Sequence, residues 1–250
     1  MREVILQKLK GIEAEEGVTI LHAVESGSRA WGFPSPDSDY DVRFFYVRPR
    51  EHYLRLGKGR DVIERPIDQV LDINGWDLDK TLRLLHSSNP TLFEWSQSPI
   101  VYRTTALFQS FLPTIRAYFS SKPGLWHYLS MAEGNYREYL KGDLVKAKKY
   151  FYVLRPLLAC RWILERGTPP PMAFRELVET QLEPGLRPVV EDLLRVKMET
   201  PEIGLVPRIG GLNAFIEAAL PQLRAQVQAL PREPQKSWAP LDQMFLSAMA

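Results

Sequence analysis

The chain has 250 residues, enough for one large or two small domains, with 45% hydrophobic and 25% charged residues, as expected of a globular protein. Its net charge of +2 and pI of about 8.6 are too mild to imply nucleic acid by themselves, and a single cysteine, Cys160, excludes an internal disulfide framework. The N-terminal stretch lacks an apolar core of signal-peptide type, and no run approaches the roughly 20 apolar residues of a membrane span, so the expected location is the cytoplasm.

Residues 2–16 place Val4, Ile5, Leu9 and Ile12 at helical spacing, and Gly17 ends that amphipathic helix. VTILHAVES follows as a strand, with His22 read as a packed core residue rather than a ligand. The other histidines (His52, His86 and His127) lie beside no cysteine pair, so no zinc site is legible. Gly27-Ser28 then makes a turn, and Asp37, Asp39 and Asp41 lead into a second strand, YDVRFFYV.

Side chains two apart on a strand share a face, so Asp39 and Asp41 are expected to converge while Tyr40, Val42 and Phe44 point away. Converging carboxylates repel unless a cation lies between them, and a hard divalent ion such as Mg2+ suits oxygen ligands. The spacing also resembles the start of a calcium-binding EF-hand loop, but Val42 and Arg48 stand where Gly and Glu are needed, which excludes it. A solvated acidic turn remains open from the carboxylates alone. Against it stands Gly27-Ser28, because a glycine lets backbone approach a phosphate closely and the adjacent hydroxyl and N–H groups bind oxygens. Arg43 shares the Asp39/Asp41 face, with pairing to those acids favoured over reaching a phosphate.

Further along, EHYLRLGKGRD reads as a surface turn in which Lys58 and Arg60 flank Gly59. DVIERPIDQVLDIN reads as one or two strands broken by Pro66, with Asp68, Val70 and Asp72 on one face. Gly75 is expected to turn the chain into a helix carrying Leu78, Leu82 and Leu85, with Asp77 at its start, and Asn89-Pro90 to begin another short helix. Beyond residue 104 the periodicity is helical, over 105–120, 125–140, 143–165, 172–182, 186–198 and 211–229. This implies domains at 1–104 and 105–250, or one fold whose helices wrap the sheet. The tail after Pro231 reads as a linker and a short apolar helix that docks on the body or on a partner.

Within GDLVKAKKYFYVLRPLL, a continuous helix places Lys141, Lys148, Tyr152 and Arg155 within about 60° of arc. Such a face holds a nucleotide triphosphate or an RNA backbone, or is simply a solvated basic face; Pro156 after Arg155 blurs the arc. Asn135, Tyr136 and Arg137 have weaker claims to the same cleft. Cys160, in LLACRWIL, is expected to be buried and inert.

Gly27-Ser28, some ten residues, then Asp39-x-Asp41 on a strand resembles the DNA polymerase beta-type nucleotidyltransferase superfamily. The longer stretches GSRAWGFPSPDSDYDVRFFYVRP and DINGWDLDKTLRLLHSSNPTLFEWSQSPIVY resemble its RNA-repair-associated, polymerase beta-like branch. The resemblance implies an α+β fold, with a small mixed-sheet catalytic palm followed by a helical C-terminal domain. It implies a third carboxylate on a neighbouring strand, Asp72, with Asp68 as the alternative. Asp39, Asp41 and Asp72 would be the catalytic and metal-holding set for Mg2+, one ion or two, with Mn2+ as a substitute. Gly27 and Ser28, with Lys148 and Arg155, would bind the phosphates of an NTP. The implied reaction moves a nucleoside monophosphate to an acceptor hydroxyl, an RNA 3′ end, with Asp72 taking its proton and pyrophosphate leaving. A small-molecule or protein acceptor and a non-catalytic nucleotide-binding protein are the alternatives, and an intact carboxylate set argues against the last.

Overall fold

A computed structural model describes residues 1–57, 59–66, 70–199 and 205–249. In chain order the first elements are α1 (Arg2–Glu16), β1 (Thr19–Glu25), α2 (Gly27–Ala30), β2 (Tyr40–Val47) and α3 (Arg50–Tyr53). Then come β3 (Val62–Glu64), β4 (Leu71–Asp77), α4 (Leu78–His86), α5 (Pro90–Ser96), β5 (Val101–Thr104) and α6 (Ala106–Ala117). The rest comprises α7 (Ser121–Tyr139), β6 (Leu144–Lys146), α8 (Lys148–Arg166), α9 (Phe174–Gln181), α10 (Arg187–Glu199), β7 (Leu205–Pro207), α11 (Gly210–Ala229) and α12 (Ala239–Ser247). The fold class is α+β, as expected. Among the described residues no helix is long and apolar enough to cross a membrane.

The chain divides into two compact units. The first contains Met1–Ala30, Asp39–Phe119 and Gln235–Ala250. Its sheet has the order β3-β4-β2-β1-β5, with β2 and β4 parallel and the other pairs antiparallel. Alternation along the strands builds two cores. Val42, Phe44, Tyr46, Leu71 and Ile73 face α1, whose Ile5, Leu9 and Ile12 are buried against them. Phe45 and Val47 face the other way, toward Leu78, Leu82 and Leu85 of α4 and Phe108, Phe111 and Ile115 of α6. Leu241 and Met244 of α12 join this second core, so the apolar tail helix docks on its own body.

Two expectations change here. Gly75 does not turn the chain; it lies inside β4 opposite Phe44, whose ring would stand 2.2 Å from a Cβ at that position. The helix starts two residues later because Asp77 caps it, accepting the N–H of Asp79 at 2.9 Å. The expected boundary at 104 also moves. Helix α6 belongs to the first unit because its apolar stripe completes the core under the sheet.

The second unit contains Trp31–Ser38 and Ser120–Pro234. Helix α8 is buried along most of its length, packed among α7, α9 and α11, and continues through Pro156 to Arg166. Cys160 is fully buried there and burial pushes its thiol up, as expected of an inert residue. The span read as one helix over 143–165 instead opens with β6, paired antiparallel to β7. The loop at 31–38 also belongs to this unit. Phe33 lies 5.1 Å from the Phe151 ring and 5.4 Å from Phe174, and the Trp31 carbonyl accepts the Phe174 N–H at 3.0 Å.

Candidate active site

The Gly27-Ser28 turn follows β1 directly, and β2 returns beside it. The Ser26 N–H donates to the Asp41 carbonyl at 2.8 Å, which ties the turn to the strand. Gly27 adopts φ of +58°, and a Cβ there would stand 1.9 Å from Asp41 Oδ2. Only a glycine accepts both the backbone conformation and the carboxylate pressed against it. Ser28, half-buried, is the second residue of the short α2.

Asp41 and Asp72 are the pair the fold brings together. Strands β2 and β4 run parallel with Asp41 opposite Asp72, and both side chains project on the face that carries Phe45 lower in β2. Arg43 lies between them. Its Nη2 donates to Asp41 Oδ1 at 3.0 Å and to Asp72 Oδ2 at 2.6 Å, and its Nη1 donates to the carbonyls of Asp72 at 2.8 Å and Val42 at 3.1 Å. Arg43 thus pairs with the acids, the favoured expectation, and it takes the cation position between them. Burial pushes the Asp41 carboxyl above the ordinary aspartate range; Arg43 opposes this, while the charges of Asp72 and Asp39 reinforce it.

Asp39 is placed differently. It precedes β2 and is exposed, and its carbonyl accepts the Arg29 Nε–H at 3.1 Å while the Arg29 guanidinium lies 3.7 Å from the centre of the Tyr40 ring. The ladder begins at Tyr40, so Asp39 enters from the preceding loop, close enough for its charge to act on Asp41. Asp68, the alternative third carboxylate, and Lys58 lie outside the described residues.

Beneath Asp41 is a residue that strand periodicity passed over. Glu25 is fully buried, accepts the Asp41 N–H at 2.7 Å on Oε1, and accepts the Tyr102 hydroxyl on Oε2. Burial raises the Glu25 carboxyl above its ordinary value, and the same burial together with Glu25 raises the Tyr102 phenol. The sequence signal was a lone carboxylate closing an otherwise apolar strand. Nothing in the sequence pointed to Tyr102, which comes from β5 on the far side of β1.

Lys148 and Arg155 belong to the second unit. Lys148 is half-buried at the first turn of α8, and Arg155 is only 3% exposed, its guanidinium 4.4 Å from the centre of the Trp31 ring. The solvated basic arc is therefore not formed. Lys141 lies in an exposed turn before β6, so the helical angle that related it to Arg155 does not apply.

Among the described residues no group of three His, Cys, Asp or Glu side chains has the arrangement of a metal cluster. The donor chemistry nonetheless fits a hard cation. Asp41 and Asp72 offer carboxylate oxygens alone, and the pair is held by a cationic group, Arg43.

The model of the RNA repair pathway DNA polymerase beta family (RlaP) matches residues 1–247. The chain is 46% identical over 251 residues to a Bacillus subtilis (strain 168) protein, YcgL, itself described as uncharacterized, covering 100% of this chain and 96% of that protein. It is also similar, at 16% identity and a TM-score of 0.34, to the solved structure of a nucleotidyltransferase-like protein from Exiguobacterium sibiricum 255-15, over 89% of this chain and 74% of that one. The last likeness is too slight to carry an argument.

Proposed function

Because the chain belongs to the RNA repair pathway DNA polymerase beta family, we propose that it is a metal-dependent nucleotidyltransferase that adds a nucleoside monophosphate from an NTP to an RNA 3′ hydroxyl. The observation that carries the reading is the register of Asp41 with Asp72 beside a turn whose glycine is required by Asp41 itself. Asp41 and Asp72, with Asp39 from the loop, would hold Mg2+, one ion or two, and Mn2+ would substitute. When bound, the metal neutralises triphosphate charge and lowers the pKa of the attacking hydroxyl.

The chain's own residues supply the rest. Gly27 and Ser28 bind phosphate oxygens through backbone N–H groups and the serine hydroxyl. Arg29, stacked on Tyr40, holds the Asp39 backbone and fixes the entry to β2. Asp72 accepts the proton of the acceptor hydroxyl; the new bond joins that oxygen to the α-phosphorus, and the bond to pyrophosphate breaks. Glu25 orients Asp41 through its main-chain N–H. Lys148 is proposed as a phosphate contact of the helical unit, whereas Arg155, buried against Trp31, steadies the 31–38 loop.

The test is incorporation of each labelled NTP onto a short RNA with Mg2+ or Mn2+, for wild type beside Asp41→Asn and Asp72→Asn. Label on RNA in wild type alone is the expected result, with a loss of at least about 100-fold in either variant. Pyrophosphate release with a cell extract but no label on RNA would move the acceptor to another class of molecule. No turnover and no binding of Mg-NTP would end the catalytic reading.

A further inference from the structure

Arg43 is attached to the same strand face as the acid it neutralises, two residues from Asp41, and its four hydrogen bonds leave the guanidinium one position. Two of those bonds use Asp41 Oδ1 and Asp72 Oδ2. The other two, to the carbonyls of Asp72 and Val42, anchor the group to the backbone of both strands. The side chains of Arg43, Asp41 and Asp72 are 16%, 28% and 34% exposed, so the pair is partly withdrawn from water and its repulsion is incompletely screened. Arg43 holds one oxygen of each carboxylate, and its positive charge offsets the negative field that would draw a divalent ion to the pair. Guanidinium and metal therefore compete.

We propose that Arg43 is a resident counter-ion that keeps the Asp41–Asp72 pair closed in the apo protein and sets the concentration at which a divalent cation can load. The inference rests on the metal-dependent reading above and deepens it. It has a consequence opposite to that of a metal ligand or of a residue that merely orients the acids: removing Arg43 tightens metal binding. With Arg43 gone, the two carboxylates repel without compensation, and a cation entering between them relieves that repulsion instead of meeting the charge of Arg43.

The experiment is titration calorimetry of the full chain with Mn2+, without nucleotide, for wild type, Arg43→Gln, Arg43→Lys and Asp41→Asn, with folding checked by circular dichroism. Arg43→Gln is expected to bind Mn2+ at least about tenfold more tightly than wild type, because the competing charge-assisted contacts are removed. Arg43→Lys should fall between them, since an ammonium keeps the charge but cannot reproduce the planar four-contact arrangement. The lysine variant also carries the test if the glutamine variant does not fold. Equal or weaker Mn2+ binding by the folded Arg43 variants, with binding abolished in Asp41→Asn, would overturn the counter-ion role and leave the metal site standing. Absence of Mn2+ binding in wild type and in every Arg43 variant would instead remove the metal-dependent reading, and this proposal with it.

Discussion

Replacing Gly27 with alanine tests the construction of the site most directly, because two separate costs meet at one atom. The first is conformational. At φ of +58° an L-residue is in the left-handed region, which costs about 1–2 kcal/mol. The second is steric, since the new methyl would stand 1.9 Å from Asp41 Oδ2 and 2.9 Å from its Cγ. Asp41 must therefore swing away, which stretches the 3.0 Å contact to Arg43 and adds about 1–3 kcal/mol of overpacking. The total is about 3 kcal/mol of lost stability, read by urea denaturation. Activity should fall much further than stability alone explains, by about 100-fold or more, since a carboxylate displaced by an ångström no longer meets its substrate. Gly75→Ala serves as the control. Its Cβ would meet the Phe44 ring at 2.2 Å, on the face of the sheet that packs against α1, so it should destabilise comparably while nucleotide transfer by the folded fraction persists. The reasoning is refuted if Gly27→Ala is as stable as wild type and transfers nucleotide at the wild-type rate.

Glu25 and a pair of buried titrating groups give further tests. Glu25→Ala strands the Asp41 N–H and the Tyr102 hydroxyl and should cost about 3 kcal/mol in a chemical melt; Glu25→Gln retains an acceptor and should cost less than half as much. His22 stacks on Phe108 at 4.1 Å, and burial lowers its pKa from 6.5 to about 4. A depressed histidine contributes stability that is present above pH 6.5 and is lost as pH falls through about 4, an effect of about 3 kcal/mol. Asp77 acts in the opposite sense. Burial raises its pKa from 3.8 to about 6, so its contribution is present below pH 3.8 and is lost as pH rises through about 6, again about 3 kcal/mol. Between pH 6.5 and 4 the two nearly cancel. Stability measured by urea melts over that window should rise toward acid in His22→Asn and fall more steeply than wild type in Asp77→Asn. Parallel profiles for all three proteins would show that neither group titrates as its burial requires.

Much of the first unit is legible in the chain because its signals are local. The alternation of YDVRFFYV specifies a strand with two different faces, the run Ile5, Leu9 and Ile12 specifies one helical stripe although Val4, read with it, is exposed, and Asp77 before LDKTLRLL specifies a cap. Gly27-Ser28 and the acids after it identify the kind of site. The same local rules mislead where a helix starts later than its pattern. Lys141 falls outside α8 by seven residues. An angular argument has no force across such a boundary.

What the sequence determined by itself is the set of reactive groups, the family they belong to, and the short-range geometry that turns and periodicity impose. Tertiary structure alone decided which groups meet. Asp41 finds Asp72 because two strands 31 positions apart in the chain pair in parallel and in register, a choice made by the burial of Val42, Phe44, Leu71 and Ile73 against α1 rather than by the acids. Glu25 reaches Tyr102 across the β1–β5 ladder, and Arg43 bridges two strands at once. Those contacts join residues distant in sequence, and hydrophobic burial selects such pairings by summing over many side chains, so no single stretch of the chain carries them.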